Sequence, residues 1–179
     1  MSTAIKTEIR DEVLRALKDA LVFAVQPDDT GSTIREDAII IQKTGAKANR
    51  SHAKSDQMVD FPGLLVSMPR QTVIPPGEGE NNRDMWHYQV MIQLIDMDQW
   101  DVENRVASWD KWIEQIASYF NYNDLTGGSA DLASKVTWAL CTARSVSDID
   151  EKVWAKSSEF IAGVMLEIQV LQHRGVIAQ

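Results

Sequence analysis

Residues 85–97 read MWHYQVMIQLIDM. Trp86, Tyr88, Val90, Ile92 and Leu94 take every second position, and His87, Gln89, Met91 and Gln93 stand between them. Side chains along a strand alternate between its two faces, so this spacing predicts a strand with one apolar face and one mixed face. A strand buried on both sides, as in a parallel sheet, reads instead as a continuous apolar run. The stretch therefore points to an antiparallel sheet packed on one side.

Downstream, Asp98 or Asp101 can cap a helix whose apolar positions are Val102, Val106, Trp109, Ile113, Ile116 and Phe120. Spacings of three and four place them on one helical stripe. The polar run NYNDLTGGS ends that helix, and two further strands are expected at 135–147 and 159–172. In the second, Phe160, Ala162, Val164, Leu166, Ile168 and Val170 share a face.

Upstream, residues 69–84 (PRQTVIPPGEGENNRD) read as a Pro- and Gly-rich connection, and LLVSM after Phe61, Pro62 and Gly63 reads as a strand. The segment TGAKANRSHAKSDQMVD has no apolar period and reads as a long flexible loop, preceded by a short β-branched strand AIIIQ at 38–42. At the N-terminus, Ile5, Ile9, Val13, Ala16, Leu17, Ala20, Leu21 and Ala24 mark an amphipathic helix that Pro27 ends. The expected fold is one α+β domain over 1–179, with two amphipathic helices on an antiparallel sheet in the order αβββαββ. Two loops interrupt it, a flexible basic one at about 43–60 and a Pro/Gly-rich one at about 69–84.

Composition narrows the function. The chain has 179 residues, 44% of them hydrophobic and 25% charged, as ordinary globular domains do. Eighteen Lys and Arg stand against 26 Asp and Glu, a net charge of -8 that argues against general affinity for nucleic acid. The single cysteine excludes an intrachain disulfide framework and fits synthesis in a reducing cytoplasm; no stretch reads as a signal peptide or membrane span. Against the acidic background, Lys43, Lys47, Arg50 and Lys54 face only Asp56 within 43–56. This segment reads either as a solvated loop or as a docking element for an acidic partner or for passing DNA. It contains no Trp or Tyr on which bases would stack.

Catalytic and metal signatures are weak. His52, His87 and His173 are far apart, with no Cys or carboxylate at zinc-site spacing. Asp96, Asp98, Asp101 and Glu103 lack the glycine a calcium loop requires and read better as helix-capping groups. GEGENN lacks the Lys and Ser or Thr of a phosphate loop, and Cys141 lies in an apolar strand, where a buried thiol is the default. No catalytic, cofactor or metal residue is assigned, and an enzyme is not expected. Trp86, Trp109 and Trp138 fall on apolar faces and read as core. Trp100, Trp112 and Trp154 fall outside those stripes and are candidates for contact with another subunit.

An N-terminal amphipathic helix, the strand-leading FPGLLVSMP, the strand YQVMIQLIDMD running into the helix ENRVASWDKWIEQIASYF, and a last strand ending at Arg174 and Gly175 follow one another here. This arrangement resembles the tail terminator, or tail completion, proteins at the neck of tailed bacteriophages. The resemblance implies a structural virion protein, a homohexameric ring that ends the tail tube and joins it to the head-side neck proteins. Its partners would be further copies of itself, the tail tube protein and a neck or head-completion protein. DNA would pass through the ring without sequence-specific binding, and neither cofactor nor membrane is implied. The 43–60 segment departs from compact members of that family. A head-completion or stopper protein is the neighbouring alternative. A small α+β ligand-binding domain or enzyme with a carboxylate site is the alternative of a different class, motivated by the acidic excess.

Overall fold

A computed structural model describes residues 4–19, 34, 38–41, 63–67, 69–73, 83–97, 102–147 and 159–173. Helix α1 (Ile5–Asp19) is followed by strands β1 (Ile39–Ile41), β2 (Gly63–Val66), β3 (Arg70–Val73) and β4 (Arg83–Met97), then helix α2 (Val102–Phe120). A two-residue strand β5 (Asn123–Asp124), a 3-10 turn (Leu125–Gly128), a short helix α3 (Ala130–Lys135) and the long strands β6 (Val136–Ser147) and β7 (Glu159–His173) complete it. The α+β class is as expected, but the element order is richer than αβββαββ.

The strands form one 7-stranded sheet in the order β1-β2-β4-β7-β6-β5, with β3 also paired to β4. Its centre is β4 against β7, antiparallel from Arg83↔His173 to Met97↔Glu159. Every pairing is antiparallel except β1 with β2, which is parallel. The expectation of a wholly antiparallel sheet is corrected there: the long connection from 42 to 62 gives the chain room to return to the same end of the sheet before pairing.

Two further corrections follow from pairing that local pattern does not reveal. The 69–84 segment is not all connection, because β3 lies within it and β4 begins at Arg83. β2 and β3 run along the same side of β4, pairing with Ile92–Ile95 and Trp86–Gln89 respectively, and Ser67 bridges them. Its N–H donates to the Met91 carbonyl (2.9 Å), and its hydroxyl accepts from the Met91 N–H (2.8 Å). The NYNDLTGGS segment likewise holds β5 and the 3-10 turn. There Asp124 Oδ1 accepts from Thr126 N and Oγ1, and Ser129 caps α3 by accepting from Leu132 N (3.1 Å).

One face of the sheet carries the core. Tyr88, Val90, Ile92 and Leu94 of β4 and Ala162, Val164, Leu166, Ile168 and Val170 of β7 pack against Trp109, Trp112, Ile113, Ile116 and Phe120 of α2 and Ile9, Val13 and Leu17 of α1. Each fully buried side chain of this size is worth about 1.5–3 kcal/mol relative to exposure, so this layer dominates folding. Trp109 also donates its indole N–H to buried Asp96 (2.7 Å), tying α2 to the end of β4.

Charge helps dock α1. Glu8 and Glu12 are buried among its apolar positions; Glu8 pairs with Lys135 of α3, and Glu12 with Arg15 of its own helix. The hydrogen bond from Arg15 to Glu12 raises the guanidinium's affinity for its proton. Gly128 lies directly against this pair, since a Cβ there would come within 1.9 Å of Arg15 and Glu12 side-chain atoms. A side chain at 128 would therefore have to push the ends of Arg15 and Glu12 aside.

Candidate functional site

The three helices among the described residues all contribute to the covered side; the opposite face of the sheet carries the side chains that alternate outward. The β4 and β7 registers place Met91 opposite Met165, Gln89 opposite Glu167, His87 opposite Gln169 and Met85 opposite Leu171. On the far side of β7, Thr142 stands opposite Glu167, Leu140 opposite Gln169 and Trp138 opposite Leu171. Apolar rows therefore flank a polar band. Met85, Met91, Met165, Leu171, Trp138 and Leu140 are half-buried, whereas Gln89 is exposed.

Within the band His87, Glu167 and Arg144 form one network across β4, β7 and β6. His87 Nδ1 lies 2.8 Å from Glu167 Oε1, and Arg144 Nε donates to the other carboxylate oxygen. A carboxylate only accepts, so Nδ1 carries the hydrogen that it shares with Glu167. The carboxylate thus fixes the imidazole's orientation while Arg144 balances its charge. His87 and Glu167 side chains are each 17% exposed and Arg144 is 56% exposed, so the network is set into the face rather than lying loose on it. A His–carboxylate pair can relay a proton or shape a polar contact.

The cysteine offers no nucleophile. Cys141 is buried on the core side of β6, and burial pushes its thiol up to about 12, so it is protonated at neutral pH. Among the described residues no group of three or more His, Cys, Asp or Glu is placed to hold a metal ion, and no helix is long and apolar enough to cross a membrane.

The contact residues expected from sequence fare unevenly. Lys43, Lys47, Arg50, Lys54, Trp100 and Trp154 lie outside the described residues. Trp112 is corrected: it is 3% exposed and belongs to the chain's own core, which leaves it little surface to give a neighbouring subunit. It stands one helical turn after Trp109, and a three-residue step keeps a side chain near the same stripe. Trp138, by contrast, was expected in the core and is not there. A bulge between Val136 and Trp138 resets the alternation, so Ala139 and Cys141 point inward and Trp138 and Leu140 go to the open face.

Sequence reading missed the Glu167–Arg144 part of the network and treated His87 as isolated. The alternation of β7 already set Glu167 opposite its apolar neighbours. The missing information was the register that brings residues 80 positions apart together. Comparison with protein-family models and with curated proteins finds no match.

Proposed function

We propose that the chain is a structural ring protein of the tail terminator kind, closing a phage tail tube and joining it to the neck. The observation that carries this reading is the one-sided packing of the sheet. The described helices gather on one face, and the other presents half-buried apolar rows around a charge-balanced polar network. Such a mixed surface, apolar with a few fixed polar groups, has the chemistry of a protein–protein contact.

Light scattering and negative-stain imaging of the purified chain, alone and with tail tube protein, test the reading. Rings of six, or tubes capped at one end, are expected; monomers with uncapped tubes would overturn it. Binding to the tube protein rather than to a portal-side protein in a pull-down separates a terminator from a stopper. Reversing Lys47, Arg50 and Lys54 to Glu is expected to weaken partner binding, most strongly at low salt, without changing the unfolding midpoint.

A further inference from the structure

The outer side of α2 carries charge that the chain leaves unbalanced. Asp110 and Glu114 stand one helical turn apart and both are exposed, and the exposed row continues through Ser118 to Asn121 and Tyr122. Elsewhere exposed carboxylates are held within the chain: Asp11 pairs with Arg10, and Asp19 with Arg15. Among the described residues Asp110 and Glu114 form no such pair, and Lys111, exposed beside them, offsets one of the two charges. Asp124 adds a further carboxylate at the far end, where its Oδ1 accepts from Thr126 N (3.0 Å) and Ala139 N (3.3 Å).

Two aromatic rings close the same row. Tyr119 and Tyr122 are the exposed large hydrophobic residues among those described, at 36% and 74%. Tyr122 holds φ 58, a region that a bulky residue occupies only at a cost in strain. Such strain persists where the surrounding structure enforces it, and it gathers at functional positions. The face of a tyrosine ring is electron-rich and attracts ammonium and guanidinium groups. Unpaired carboxylates beside open tyrosine rings therefore make a surface for a segment that carries Lys and Arg. Phosphate is turned away by the same charges.

Resting on the proposed ring, we infer that this side of α2 receives the basic run of a second copy, which holds Lys43, Lys47, Arg50 and Lys54. The occupant follows from charge. The run sets these cations against Asp56 alone in a chain of net charge -8, so it calls for an acidic partner, and identical copies carry both halves. Length allows the contact as well. From Lys43 to Lys54 an extended chain spans up to about 36 Å, against about 18 Å along α2 from Asp110 to Tyr122, so more than one cation can meet the row. A contact within one chain does not account for the surface, because its own chain leaves Tyr122 74% exposed. Joining two unlike patches of identical subunits gives the heterologous contact that a closed ring requires.

Charge reversal on each side tests the assignment. One variant carries Lys47→Glu, Arg50→Glu and Lys54→Glu, the other Asp110→Lys and Glu114→Lys. The helix positions are exposed, so the second variant should keep the wild-type unfolding midpoint. Alone, each variant should assemble at least about tenfold more weakly than the wild type at low salt, because like charges now meet. Mixed in equal amounts they should assemble as the wild type does, since the reversed run of one copy meets the reversed helix of the next, and a ring with an even number of subunits accommodates the alternation. Tyr122→Gly, which keeps every charge, should weaken assembly by about threefold to tenfold. Light scattering and sedimentation of the purified chains, alone and with tube protein, read each outcome. Glu114→Lys alone, mixed with the first variant, decides the case if the double change unfolds the helix. Variants that assemble like the wild type, or a mixture no better than its components, would overturn the contact and leave the ring reading standing. A mixture that fails while one chain carrying both sets of reversals assembles would put the contact within the chain and overturn it too. A wild-type chain that stays monomeric alone and with tube protein would overturn both.

Discussion

The two faces of the sheet are made by the same strands yet follow different rules. On β7, Leu166 and Met165 are sequence neighbours: Leu166 is fully buried beneath the helices, and Met165 is half-buried on the face they leave open. Polar groups divide in the same way. On the covered side they are enclosed by partners, as in Trp109–Asp96 and Glu8–Lys135, whereas Arg144 reaches Glu167 from solvent. The covered face holds the fold together; the open face has composition to spare for contacts.

Paired truncations put the largest load on that difference. Leu166→Ala should cost about 2–5 kcal/mol in chemical denaturation, from lost transfer energy and the cavity left behind. Met165→Ala should cost less than about 1 kcal/mol, since half-exposed atoms have less transfer energy to lose. Equal costs would mean that the outward face is as tightly packed as the core, and the contrast between the faces would fail.

Ion pairs offer the next contrast. Lys135→Met removes the partner of Glu8, whose side chain is 8% exposed, and should cost about 2–4 kcal/mol because a nearly buried carboxylate loses its counter-charge. Arg144→Ala, on the open face, should cost under about 1 kcal/mol. Thermal unfolding of both variants at two salt concentrations measures this, with Arg144→Ala the one that loses its effect at high salt.

Alkaline titration separates the faces differently. Burial raises Tyr88 from 10.0 to about 12 and Cys141 from 9.0 to about 12, and both lie on the covered side. Well below pH 9 each is almost wholly neutral folded and unfolded, and neither affects stability appreciably. Above it the unfolded chain releases its protons first, so stability should fall as pH rises from about 9 towards 12. Cys141→Ser and Tyr88→Phe should each flatten part of that decline. A decline of unchanged slope in both would deny that these groups cause it. At pH 8 the native thiol should resist a disulfide reagent that labels the unfolded chain at once.

How much of this could be read from the chain depends on whether the governing contact is local. β4 and β7 were legible because a two-residue period runs unbroken through Tyr88 to Leu94 and Ala162 to Val170, and α2 because Trp109, Ile113, Ile116 and Phe120 keep a helical period. β3 and β5 were not, since RQTV and ND carry too few residues to show a period and exist only through backbone pairing with β4 and β6. The bulge before Trp138 reverses the side of the sheet on which that side chain lands, and nothing in VTWAL announces it. Glu8 and Glu12 would be placed in solvent by their charge; Lys135, distant in sequence, and Arg15 make their burial tolerable. His87 and Glu167 each sat on the expected face, but only the register made them partners.

The smallest expected effect bears on the end of α2, where Tyr122 takes a positive φ. A tyrosine at the left-handed end of α2 costs about 1–2 kcal/mol against glycine from sterics alone, and the gain from relieving it is partly offset by the backbone entropy that glycine loses on folding. Tyr122→Gly should therefore stabilise the isolated domain by no more than about 1 kcal/mol, measured by urea unfolding at a concentration low enough to keep it monomeric. Tyr122→Asn, which tolerates the same backbone region, should fall between wild type and glycine. A tyrosine whose removal leaves stability unchanged would be an ordinary helix end. One whose removal stabilises the domain is kept against the preference of the backbone, and folding alone does not account for it.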